Sequence, residues 1–174
     1  MKTKSSTKSI VITALFIALS FVGSNIKIFG TIAFDSLPGF TAVLLLGSGY
    51  GAVIGCLGHL LTALTSGFPF TIHMHLIIAA SMAITMLGFG YTYKALKNKV
   101  SIKANLIITG IVGVILNAPV SLAFSIGAMA LITGKEAALG LLALLPVLVF
   151  AAIVNIIISV NLFRPLEKVL EKLL

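Results

Sequence analysis

The sequence predicts an all-α membrane protein: a six-transmembrane-helix bundle with both termini cytoplasmic. Of its 174 residues, 59% are hydrophobic and 9% are charged, whereas a soluble domain has roughly 45–50% and about 25%. Too little polar surface remains to cover a globule of this size in water. The length leaves room for several crossings of about 20 residues each and none for a soluble domain. We therefore expect a single integral membrane domain over residues 1–174.

The first predicted span covers residues 10–28 and follows a short basic segment with Lys2, Lys4 and Lys8. This pattern superficially resembles a secretory signal peptide. Because the apolar run is long enough to span a bilayer and the membrane character continues along the chain, we interpret it as a retained first helix.

The next apolar segment, from Leu37 to Phe70, would extend about 51 Å as one helix, too far for a hydrocarbon core of about 30 Å. Glycines between residues 47 and 51 supply a break, since glycine accepts positive φ without steric cost. We predict two short helices, 38–49 and 51–66, with the chain turning back between them. Irregular backbone at membrane depth is tolerated where it lines a cavity, so this region is a predicted binding-site wall.

The last three predicted spans are residues 74–93, 104–132 and 138–163. Four lysines follow the first of them, at positions 94, 97, 99 and 103. Cytoplasmic loops carry an excess of Lys and Arg, so these lysines and the basic N-terminus belong on one side. An even number of crossings must then separate them, which gives six spans and leaves only Lys27 and Lys135 outside. The net charge of +8 is thus a topology signal, and no nucleic-acid partner is expected.

Several function classes are disfavoured by what the spans lack. No Asp, Glu, Lys or Arg falls in the central part of any predicted span, although proton pumps and voltage sensors use such groups. The phosphate loop G-x-x-x-x-G-K-[ST] and the metalloprotease motif H-E-x-x-H are both absent. We therefore expect no ATP hydrolysis by this chain and no cofactor, and uphill transport would need a partner's energy.

Polar residues concentrate toward the predicted outer side. Several buried polar groups converging in one place indicate a wetted or ligand-filled pocket, since each costs a few kcal/mol without a partner. The turn at residues 68–70 (FPF) adds aromatic faces for a flat heterocycle. The alternative is hydrogen bonding between helices. The candidate substrate-binding residues are Asn25, Asp35, His59, Thr62, Phe68, His73, His75 and Asn117.

Three other interpretations remain open. His59, His73 and His75 could hold a transition metal, since imidazole is a common ligand. The same histidines with Asp35 could form an intramembrane enzyme, although no nucleophile is evident. The chain could also be a scaffold that assembles other membrane proteins. Asn155, on the last helix, is interpreted as structural.

Ala14 and Ala18 form a small-xxx-small pair on the first helix, a spacing that permits close helix approach. With this pair, the chain resembles, over essentially its whole length, the substrate-binding S components of energy-coupling factor (ECF) vitamin transporters. In that family an alanine-xxx-alanine pair on helix one docks the transmembrane coupling subunit, and Ala14 and Ala18 match it. Residues 34–40 (FDSLPGF) and 58–69 (GHLLTALTSGFP) look like the group associated with α-ribazole, a cobalamin precursor.

The resemblance implies a multi-pass protein of a prokaryotic plasma membrane that captures a vitamin-like small molecule at the outer face. The coupling subunit and two ATPase subunits would then drive its release inward. Alternative ligands are another vitamin, such as riboflavin or pantothenate, or a transition-metal ion. The family's nickel and cobalt branch carries a histidine beside the initiating methionine, where this chain has Lys2, and this difference favours an organic ligand.

Overall fold

The computed structural model describes residues 7–25, 27–28 and 32–173, and these form a helical bundle. A short antiparallel strand pair, β1 (Lys27–Ile28) and β2 (Ile32–Ala33), connects the first two helices. A π-helical turn, Leu116–Val120, joins α5 to α6, and a 3₁₀ turn, Gly140–Leu144, joins α7 to α8. The helices are α1 (Thr7–Ser24), α2 (Leu37–Leu46), α3 (Ser48–Thr65), α4 (Ile72–Leu96), α5 (Ile102–Ile115), α6 (Ser121–Thr133), α7 (Lys135–Leu139) and α8 (Leu145–Leu173).

Five helical segments within the described residues are long and apolar enough to cross a membrane. They are α1, α3, α4, the run Ile102–Thr133 that contains α5 and α6, and the run Lys135–Lys172 that contains α7 and most of α8. α2 is apolar but has only 10 residues. The predicted all-α membrane fold is confirmed, with six helical segments of which α2 is unusually short.

The predicted end of the first span is wrong. α1 stops at Ser24, and residues 27–28 belong to β1 instead of the helix. The returning chain packs on the end of α1, where the Phe34 N–H donates to the Gly23 carbonyl at 3.3 Å. This contact satisfies a carbonyl that the helix end would leave unpaired. An apolar run alone carries no sign of such a contact.

The predicted chain reversal is confirmed at Gly47. This residue has φ 109°, and its N–H caps α2 by donating to the carbonyls of Ala42 and Val43. α2 and α3 then pack antiparallel, so that Gly51 lies against Val43 and Gly55 against Gly39. The predicted junction between helices 38–49 and 51–66 is wrong, because α2 ends at Leu46 and α3, which contains Gly49, begins at Ser48.

α2 lies at the centre of the bundle. Every residue from Pro38 to Leu44 is buried, and the helix packs against α1, α3, α4 and α8. The ring of Phe40 meets that of Phe89 edge to face, with centroids 4.9 Å apart. Ser159 Oγ of α8 donates to the Leu37 carbonyl at 3.0 Å. These contacts fix the start of α2, next to which the candidate site lies.

Candidate functional site

A cavity of about 150 Å³ lies between the start of α2 and the surrounding helices. α3 and α4 form one side, and the π turn with α6 and the last helical run form the other. Its lining residues are Asp35, Ser36, His59, Thr62, Ala63, Ser66, Pro69, Phe70, Met74, His75, Ile78, Met82, Asn117, Ser121, Leu122, Ser125, Leu141, Leu144, Leu148, Ala151 and Asn155.

The shortness of α2 explains where the cavity lies. Ten residues extend about 15 Å, roughly half of a hydrocarbon core. Asp35 and Ser36, just before the first turn of α2, line the cavity, whereas the residues of α2 itself do not. The cavity therefore occupies space that a full-length helix would fill.

A chain of three side chains runs along one wall. Asp35 Oδ2 lies 3.5 Å from His59 Nδ1, and His59 Nε2 lies 3.1 Å from His75 Nδ1. The Asp35 and His59 side chains are only 9% and 13% exposed. The rings of Phe68 and Phe70 contact His75, with centroid distances of 5.7 and 6.4 Å. These three side chains connect the segment before α2 with α3 and α4, and His75 is the last of the three.

Three cavity-lining side chains carry buried polar atoms that lack a hydrogen-bond partner within the described part of the protein. They are His75 Nε2, Asn117 Oδ1 and Asn155 Oδ1. An unpaired buried polar atom costs about 1–3 kcal/mol. A polar ligand or water in the cavity would satisfy these atoms, which is the strongest structural indication of a binding site.

The rest of the lining is mostly apolar. Met74, Ile78 and Met82 of α4 contribute to it, as do Leu144 and Leu148 of the last helical run. Small-molecule sites commonly combine such surfaces with a few polar groups that fix ligand orientation. The arrangement suits a molecule with one flat apolar part and one polar part.

Asn117 reaches the cavity from the π turn. Pro119 lies inside this turn, and its lack of an N–H makes regular α-helical bonding incomplete there. π turns within helices occur frequently at functional sites. Ser121 and Ser125, in the first turns of α6, line the same side of the cavity.

Five of the eight predicted binding residues line the cavity: Asp35, His59, Thr62, His75 and Asn117.

The other three lie outside its lining. Asn25, directly after the end of α1, is exposed, and its Nδ2 donates to the Phe21 carbonyl of that helix at 2.8 Å. His73 is exposed, whereas His75 is buried, because residues two apart on a helix point in nearly opposite directions. Phe68 packs on His75 without lining the cavity.

Asn155 is the main lining residue that the sequence analysis assigned a structural role. Its side chain is 1% exposed and its Oδ1 is unpartnered. Two serines of α6, Ser121 and Ser125, were not singled out at all. No local pattern marks these positions, since their role depends on which face of each helix the fold turns inward.

A metal centre receives no support from the geometry. Within the described residues, no three His, Cys, Asp or Glu side chains converge as metal ligands. His59 and His75 face each other through their ring nitrogens, and His73 lies away from them on the exposed face of α4.

Ala14 and Ala18 are both exposed on α1. Leu15 and Leu19 beside them are also more than half exposed. Small and apolar residues on one open helix face fit lipid or another transmembrane helix. The predicted docking pair is therefore accessible, and no residue of α1 lines the cavity.

The family model described as "ECF transporter, substrate-specific component" matches residues 8–166 of the chain. Neither the curated proteins nor the solved structures gave a match.

Proposed function

We propose that this chain, which belongs to the family of substrate-specific components of ECF transporters, captures a vitamin or vitamin precursor, with α-ribazole as the first candidate. The family consists of transport subunits, so the chain is a multi-pass membrane component of a transporter and not an enzyme. The unpartnered polar atoms around the cavity are the observation that carries the proposal.

The composition of the cavity supports a nucleoside-like ligand. α-Ribazole combines a flat benzimidazole with a ribose that carries hydroxyl groups. Phe70 and the leucines of the last helical run offer an apolar surface for the ring, whereas His75, Asn117 and Asn155 offer hydrogen-bond partners for hydroxyls.

The distribution of lysines supports an outward-facing cavity. Lys94, Lys97, Lys99 and Lys103 lie around the junction between α4 and α5, whereas the cavity lies at the opposite end of α4, near His75. The excess of basic residues in cytoplasmic loops places the lysines inside. Both termini are then cytoplasmic in a prokaryotic plasma membrane, and the ligand enters from outside.

The exposed alanine pair on α1 supports a separate docking surface for the energising module. The exposed face of α1 with Ala14 and Ala18 would contact the transmembrane coupling subunit, which two ATPase subunits would drive. Because this face contributes no residue to the cavity lining, ligand capture and energy coupling would be separable by mutation.

The test is ligand binding by the purified protein in detergent. α-Ribazole should raise the melting temperature in proportion to its occupancy, and riboflavin, pantothenate and Co²⁺ serve as comparison ligands. His75→Ala should weaken binding at least tenfold, whereas His73→Ala, an exposed histidine on the same helix turn, should leave it unchanged.

A stabilising effect of riboflavin or pantothenate with none from α-ribazole would replace the proposed ligand. Equal losses in the His73 and His75 variants would contradict the assignment of the cavity as the binding site.

A further inference from the structure

We propose that Asp35 is a positioning residue that fixes the tautomers of His59 and His75, so that His75 Nε2 presents a lone pair to the ligand. The site would then select a ligand that places a hydroxyl or N–H donor at this nitrogen. This inference rests on the proposed function, since it assumes that the cavity binds the transported molecule.

The direction of the hydrogen bond between His59 and His75 follows from the contact between Asp35 and His59. An ionised carboxylate accepts hydrogen bonds and cannot donate. With Asp35 Oδ2 at 3.5 Å, the favourable arrangement puts the proton of His59 on Nδ1. A neutral imidazole has one donor and one acceptor nitrogen, so His59 Nε2 then carries a lone pair.

The same rule applied to the second ring determines the atom that faces the ligand. His75 Nδ1 lies 3.1 Å from His59 Nε2, and two lone pairs at this distance would repel. His75 must therefore carry its proton on Nδ1 and donate it to His59. Its Nε2 is left as an acceptor, and this atom is buried without a partner among the described residues.

Asp35 comes two residues before the first residue of α2 and lines the cavity. The polarity of His75 Nε2 would thus be set from the start of the central helix, through His59.

The consequence is a preference among ligand chemistries. A carboxylate or phosphate oxygen at His75 Nε2 would set an acceptor against an acceptor, whereas a hydroxyl or N–H would form a hydrogen bond. The amides of Asn117 and Asn155 can rotate to present either an oxygen or an NH₂ group. His75 is therefore the group whose polarity is fixed by its neighbours.

The experiment is nitrogen NMR on ligand-free protein labelled with ¹⁵N in the histidine rings. The chain has three histidines, so His73→Ala and His75→Ala suffice to assign the signals. We expect both His59 and His75 to carry their proton on Nδ1. In Asp35→Asn, whose amide can donate as well as accept, a second tautomer should appear in both rings.

Binding of α-ribazole provides a second readout. Asp35→Asn should weaken it about tenfold, and Glu167→Gln, the same change from carboxylate to amide at a residue that pairs with Arg164 outside the cavity lining, should not. A proton on His75 Nε2 in the ligand-free wild type would overturn the inference whether or not α-ribazole binds.

The two failures can be told apart. If the wild type shows the expected tautomers but does not bind α-ribazole, the proposed ligand fails and the fixed polarity of His75 stands. Tautomers that are unchanged in Asp35→Asn, together with unchanged α-ribazole affinity, would overturn the positioning role of Asp35.

Discussion

Replacing Gly51 by alanine tests the close packing of α2 on α3. A methyl group there would overlap Val43 Cγ2 and lie 3.0 Å from the Gly39 carbonyl oxygen. The carbonyl belongs to helix backbone and cannot move aside without shifting α2. Gly49→Ala is the matched control, because a methyl at Gly49 has no heavy atom within 4 Å.

The expected magnitude follows from two terms. Overpacking a well-packed interior costs about 1–3 kcal/mol. Alanine gains up to about 1 kcal/mol over glycine in a helix, but this gain occurs in both variants and cancels in their difference. Gly51→Ala should therefore be about 1–3 kcal/mol less stable than Gly49→Ala. For a chain of this size each kcal/mol corresponds to about 2–4 °C in melting temperature.

The assay is thermal unfolding in detergent, followed with a thiol-reactive fluorogenic dye. Cys56 is the only cysteine and is half-buried in α3, so the dye reports unfolding at one site. The control variant should melt at or above the wild-type temperature. Equal melting temperatures for the two variants would refute the close approach of α2 and α3.

Three further predictions concern the site, the docking face and the core. Asn117→Leu removes an unpaired buried oxygen, so ligand-free protein should melt higher while α-ribazole affinity falls at least tenfold. Ala14→Leu should preserve ligand binding but abolish uptake by cells that contain the complete transporter, and Ala80→Leu, also exposed, should support normal uptake. Phe40→Ala empties the space beside Phe89 and should cost about 3 kcal/mol of unfolding free energy, whereas Phe124→Ala, at a residue 57% exposed, should cost much less.

The helical architecture was predictable because its signals are local. Apolar length and the positions of lysines gave the number of helical segments, and glycine marked the reversal that occurs at Gly47. The end of α1 was predicted wrongly because it depends on a contact between Gly23 and Phe34 that forms only in the folded chain.

The candidate site was only partly predictable, since it depends on helix orientation. Treating the three histidines as one group ignored the two-residue spacing that turns His73 outward and His75 inward. Asn155 was undervalued because nothing around it in sequence shows that α8 turns this position toward the cavity. Which of these residues contact a ligand stays a prediction.

The π turn at Leu116–Val120 changes how this chain tolerates alterations in length. Asn105, Thr109 and Gly113 follow one another at intervals of four residues, and all three are buried. The next residue at this interval is Asn117, but the fully buried residue is Ala118, one position later. The turn thus accommodates one surplus residue. Deleting Pro119 would remove both the surplus residue and the missing N–H, so that a regular α-helix could form with both flanks still in phase. The same deletion elsewhere in α5 or α6 would rotate one flank against the other by about 100°.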